Sequence, residues 1–145
     1  MSDTLKMTIE SKSVNEGFAR AAVGAFIARL DPDLEQLNDV KTAVSEAVTN
    51  AIVHAYPDTV GAIHITMRAD SMTGAVRISI KDTGRGIEDI ARAREPMYTT
   101  GGAERSGMGF TVMESFMDSV LVRSRPGHGT TVTLTKHLKA RGECR

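Results

Sequence analysis

The chain has 145 residues, with 18 Lys and Arg against 18 Asp and Glu, so its formal charge is zero. That balance provides no general field for a polyanion, and two Tyr, four Phe and no Trp leave little for stacking on bases, so direct nucleic-acid binding is not expected. No apolar run approaches the ~20 residues that cross a bilayer, and the single cysteine, Cys144, excludes a disulfide framework.

Met1 to Glu10 carries charges and no apolar signal core, which together with the lone cysteine implies a cytoplasmic chain. The length suits one domain spanning 1–145. Charge is unevenly spread. Residues 1–60 hold five basic and nine acidic side chains, whereas residues 121–145 hold six and one. Lys136, Lys139, Arg141 and Arg145 read as a solvated basic tail, or as a docking surface for a charged partner.

Residues 4–10 alternate as a strand. Ser13-Val14-Asn15-Glu16 has the capping-box spacing. The helix it opens runs to about Leu30, with Val14, Phe18, Ala21, Ala25 and Ala28 as its apolar stripe. Asp31-Pro32-Asp33 breaks the helix, and Asp33 caps a second one. That helix carries Leu34, Leu37, Val40, Val44, Val48, Ala51, Ile52 and Ala55 on one face and ends at Pro57-Asp58.

Residues 61–69 and 75–82 alternate as two strands around a Ser71–Gly74 turn, with Asp82 on the apolar side of the second. A loop follows at 82–86, with a short helix near 88–94. Residues 95–109, rich in Gly and poor in apolar anchors, read as mobile. A helix from about Gly107 to Asp118 turns Met108, Val112, Met113, Phe116 and Met117 inward. A hairpin of 120–124 and 130–136 closes the chain around Pro126-Gly127-His128-Gly129. Hairpins with all helices on one face give an α+β two-layer sandwich, a mixed and mainly antiparallel sheet under helices.

Four patterns carry chemistry. Glu46-x-x-x-Asn50 places a carboxylate and an amide one turn apart on a helix face other than the apolar stripe. Such a pair is either a solvated face or a general base beside a neutral oxygen suited to Mg²⁺. Asp82-x-Gly84-x-Gly86 ends a strand with a carboxylate on the buried side, costly unless it meets a donor such as an adenine amino group; otherwise it is a plain glycine turn. Gly101-Gly102 and Gly107-Met108-Gly109 precede a helix whose N–H groups attract phosphate, or simply start a helix after a flexible loop. Gly127-x-Gly129-Thr130-Thr131 is by itself a hairpin turn. No Walker loop occurs, Val112 stands where a dinucleotide fingerprint needs its third glycine, and the four histidines show no metal-ligand spacing.

Together, and in this order, the four patterns resemble the GHKL (Bergerat-fold) ATPases and kinases over about residues 33–135. Glu46-Ala-Val-Thr-Asn50 matches the N box, Asp82-Thr-Gly84-Arg-Gly86 the first glycine box, Gly107-Met-Gly109 the second, and Gly129-Thr130 the last Gly-Thr element. The stretches 46–56 and 107–118 look like those of the anti-sigma factor serine kinases. The resemblance implies binding of ATP or ADP with Mg²⁺, capture of a sigma factor, phosphorylation of an anti-anti-sigma antagonist on serine, and a homodimer.

It also implies roles. Asp82 would receive the adenine amino group with Thr130 behind it, and Gly84 and Gly86 would shape the base pocket. Asn50 would hold Mg²⁺. Gly107 and Gly109 would present N–H groups to phosphate, Thr99 would lie beside the nucleotide, and Glu46 would be the general base. Arg105 is placed near a terminal phosphate by its proximity to these glycines. Two other functions compete: a nucleotide-gated binding module without turnover, and a detached histidine-kinase catalytic domain. For a sigma-binding surface the first helix offers Glu16 and Arg20 as charged candidates, which otherwise read as a solvated helix face.

Overall fold

The computed structural model describes residues 2–87 and 109–140. Its sheet is built from segments whose apolar residues fall on every second position. In β2 (Ala62–Asp70) these are Ile63, Ile65, Met67 and Ala69, and in β3 (Ala75–Asp82) Val76, Ile78 and Ile80, all buried. Added to β1 (Ser2–Glu10), β4 (Ser119–Arg125) and β5 (Gly129–His137), they form one sheet of order β1-β2-β3-β5-β4. Among the described residues all four pairings are antiparallel, in the α+β sandwich with a mainly antiparallel sheet that the sequence leads one to expect, and no parallel pair occurs among them. Short turns join β2 to β3 and β4 to β5 and permit only antiparallel pairing there, whereas residues 11–61, with two helices, separate β1 from β2.

Among the described residues three α-helices cover the sheet's apolar face: α1 (Val14–Ile27), α2 (Leu34–Asn50) and α3 (Gly109–Phe116). Val23 and Ile27 of α1, Val40, Val44 and Val48 of α2, and Met113 of α3 meet the β-branched inner face in one core. α2 starts as the sequence indicates, with the Asp33 carboxylate accepting from the Gln36 N–H at 2.8 Å. It does not stop at Asn50 but widens into a π-helical turn, Ala51–Ala55, before Tyr56.

Two expectations for α1 fail. Its expected stripe points outward: Val14 is 76% and Phe18 58% exposed, and Ala21, Ala25 and Ala28 are exposed as well. The buried stripe is Ala19, Val23, Phe26, Ile27 and Leu30. Both sets have helical spacing, and the set with the greater bulk near the helix end occupies the core. Leu34, at the start of the expected α2 stripe, is likewise exposed. The capping box does not form either, because Ser13 has helical backbone angles and makes no side-chain cap. The Glu16 carboxylate instead accepts from the Ser45 hydroxyl of α2.

The outer face of the sheet is rich in basic side chains. Lys6, Arg68, Arg77, Lys81 and Arg123 are all exposed on the sheet face away from the helices. Lys136 is not part of a solvated tail: its ammonium donates to the Phe116 carbonyl and lies 3.7 Å from Asp39. Residue 139 is also anchored, with its N–H and carbonyl both bonded to the side chain of buried Gln36 at 3.0 Å. No helix among the described residues is long and apolar enough to cross a membrane.

Candidate functional site

Helical spacing puts Glu46 and Asn50 one turn apart on α2, both half-buried. What they face is the amino end of α3. A Cβ placed on Gly109 would stand 3.0 Å from Asn50 Nδ2, 3.2 Å from its Oδ1 and 3.4 Å from Glu46 Oε2. Glycine therefore lets the first turn of α3, with its unsatisfied N–H groups, approach a carboxylate and an amide. Gly109, distant in sequence, meets the Glu46 and Asn50 pair at one spot, which a merely solvated helix face does not require.

The second part of the site is built on the end of β3. Asp82 sits opposite Ile63 and Thr130 on the covered side of the sheet and is only 6% exposed. Its Oδ1 accepts the N–H of Gly84 at 3.0 Å and the N–H of Thr130 at 3.2 Å. Burial nevertheless raises its pKa above 3.8, outweighing those two bonds. Oδ2 makes no hydrogen bond among the described residues, so the carboxylate is held by one oxygen and presents the other.

Glycine is required around this carboxylate. Gly86 (φ +78°) passes so close to Arg125 that a Cβ would lie 2.3 Å from its carbonyl oxygen. Gly129 (φ +118°) has the Asp82 carbonyl oxygen 2.2 Å from where its Cβ would be. Gly129→Ala is therefore expected to lower folding stability by about 2–4 kcal/mol, the cost of a disfavoured φ plus a backbone collision. Denaturant unfolding checks this, and an unchanged midpoint would contradict it.

The structure adds two residues that sequence reasoning missed. The Ser124 hydroxyl accepts the Ile87 N–H at 2.7 Å, donates to the Gly129 carbonyl at 3.1 Å and lies 2.7 Å from Thr130 Oγ1, so it knots the glycine loop to the hairpin. The register of β4 on β5, which sets Ser124 opposite Thr130, was its available signal. Tyr56, nearly buried, bonds to Thr83 beside Asp82. Of the residues expected at the site, Glu46, Asn50 and Gly109 form one group and Asp82, Gly84, Gly86 and Thr130 the other. Thr99, Arg105 and Gly107 lie outside the described residues, as do the short helix near 88–94 and nearly all of the glycine-rich stretch 95–109.

This arrangement has recognisable relatives. Residues 9–136 match the family described as Histidine kinase-like ATPase domain. A protein of Halalkalibacterium halodurans named anti-sigma F factor is 50% identical, covering 99% of both chains. One of the same name from Clostridium botulinum is 54% identical over 90% of this chain and 93% of its own. Among solved structures, the RsbU and RsbW domains of a Mycobacterium tuberculosis protein superpose with a TM-score of 0.68 at 25% identity, covering 99% of this chain and 34% of that one. The mycobacterial sensor histidine kinase MprB shares the fold with a TM-score of 0.58. The chain belongs to the histidine kinase-like (GHKL) ATPase family, alongside the anti-sigma F factors.

Proposed function

We propose that the chain is an ATP-dependent protein serine kinase that also binds and inhibits a sigma factor, its protein substrate being that sigma factor's antagonist. The observation that carries this reading is the meeting of Glu46 and Asn50 with the amino end of α3 at Gly109. Phosphoryl transfer needs little more than positioned charge and a proton acceptor, and these residues supply both. The relatives' name supports the sigma-factor partner. A homodimer belongs to the same reading.

Asp82 would take the adenine amino group on its outward oxygen, with Thr130 behind it. Gly84 and Gly86 leave the loop backbone close enough to line a flat base. The N–H groups at the start of α3 would face phosphate oxygens. Glu46 would accept the proton of the substrate serine as its oxygen bonds to the γ-phosphorus and the bond to ADP breaks. Thr99, Arg105 and Gly107 remain proposed neighbours of the phosphates.

Mg²⁺ fits this donor set in a limited way. No three His, Cys, Asp or Glu side chains gather to hold a metal among the described residues. The Asn50 amide oxygen offers one hard, neutral ligand, which suits an ion carried mainly by phosphate oxygens and water. When bound, the ion would neutralise phosphate charge.

The test is to mix the chain with ATP labelled on the γ-phosphate, Mg²⁺ and the antagonist protein. The label is expected on the antagonist. Nucleotide binding with no transfer of label would favour a gated binding module instead.

A further inference from the structure

We propose that Tyr56 is a positioning residue of the nucleotide site. Its hydroxyl sets the loop that follows Asp82 and ties that loop to the end of the helix carrying Glu46 and Asn50. The inference rests on the nucleotide reading above and names what aims Asp82.

Three contacts meet at one phenol oxygen. The Thr83 N–H donates to it at 2.8 Å, it donates to the Ala62 carbonyl at 2.8 Å, and Thr83 Oγ1 lies 3.2 Å away. The ring cannot swing aside. It lies flat against Gly61, where a Cβ would come within 2.2 Å of Tyr56 Cε1 and 2.4 Å of Cζ. Gly61 is itself pinned, its N–H donating to Ser11 Oγ and its carbonyl accepting the Ser11 N–H, both at 2.9 Å. The hydroxyl thus has a defined position before any ligand arrives.

The preceding residue grips the same loop. The Ala55 carbonyl accepts the Arg85 N–H at 3.2 Å, and Gly84 passes so close to it that a Cβ would lie 2.3 Å from that oxygen. Residues 55 and 56 therefore hold residues 83, 84 and 85. The Gly84 N–H is one of the two donors that orient the Asp82 carboxylate. Holding Gly84 thus aims Asp82.

The π-helical turn Ala51–Ala55 makes this grip possible. Glu46 and Asn50 lie before it on the same continuous helix, and Tyr56 directly after. Removing the extra residue of the wide turn would rotate Tyr56 by about 100° around the helix axis, away from Thr83. Wide turns of this kind recur at functional sites. Here the turn joins the group at the start of α3 to the Asp82 loop, so both ends of the site share one rigid strut.

The test is Tyr56→Phe in the full chain, which keeps the ring against Gly61 and deletes only the oxygen. Calorimetric titration with ADP and with GDP should show ADP affinity falling about tenfold, as loss of a hydrogen-bonded anchor allows. The preference for ADP over GDP should shrink as well, because that preference depends on where Asp82 points. In the ligand-free chain, amide exchange should quicken at Thr83 and Gly84 while Ile65 and Ile78 in the sheet stay protected. A purely structural strut would lower the unfolding midpoint and leave the ADP to GDP ratio at its original value, and that result would overturn the inference. A wild-type chain that binds no ADP would overturn the nucleotide reading and this inference with it. A wild-type chain that binds ADP, beside a variant of equal affinity and selectivity, would overturn this inference alone.

Discussion

Asp82→Asn should weaken nucleotide binding substantially without weakening the fold. A hydrogen bond to a charged group contributes about 1.5–3 kcal/mol, so ADP affinity should fall roughly 10- to 100-fold. The amide would also turn a donor toward a base amino group if its oxygen stays on the two backbone N–H groups. Those bonds, from Gly84 and Thr130 to Oδ1, can persist in the variant because an amide oxygen accepts as a carboxylate oxygen does.

The pH dependence has a definite sign. Burial holds the Asp82 pKa above 3.8, so its ionised form is disfavoured in the folded chain and subtracts stability at neutral pH. That cost is present in full above the raised folded pKa, shrinks as the pH falls through it, and is gone below 3.8. The ligand-free Asp82→Asn protein should therefore be at least as stable as wild type at pH 7, with the difference closing in acid. Calorimetry with ADP and denaturant midpoints at two pH values check both halves. Wild-type ADP affinity in the variant would remove Asp82 from the base pocket.

Glu46→Gln should separate binding from chemistry. Gln keeps the size of the side chain beside Gly109 and Asn50, so ADP affinity should stay within about twofold of wild type, a change well under 1 kcal/mol. Transfer to the antagonist should fall by about 10²–10⁴, the usual contribution of a positioned proton acceptor. Single-turnover transfer from labelled ATP measures this. Unchanged transfer would mean that the serine proton leaves by another route.

Much of this was legible in the sequence because of how strands and helices repeat. Period-two alternation in 61–69 and 75–82 sets which side of each strand is covered, and it places Asp82 on the buried side, where the structure has it. Asp33 was recognisable as a cap because the residues after it form a long helix. Failures came where two readings satisfied the same local rule. α1 has two apolar stripes at helical spacing, and only contact with the sheet decides between them. Glu16 had two acceptable partners, its own helix start and Ser45 on α2, and the tertiary one prevailed.

The site divides the same way. Glu46 and Asn50 were visible as a pair, because helical spacing is a property of the chain. Their meeting with Gly109 was not, because nothing local brings the amino end of α3 to α2. Ser124 and Tyr56 act through single hydroxyls whose partners, Thr130 and Thr83, are 6 and 27 residues away along the chain. The wide turn that delivers Tyr56 left no mark on the apolar pattern of α2.

The proposed reaction is transfer of phosphate to a protein serine, driven by the Glu46 carboxylate. The most direct measurement is the chemical stability of the label on the antagonist after reaction with γ-labelled ATP. Label that survives acid and is recovered as phosphoserine is the predicted result. Label lost in acid, as from phosphohistidine, would contradict the claim and make the chain a histidine-kinase catalytic domain acting on a separate protein.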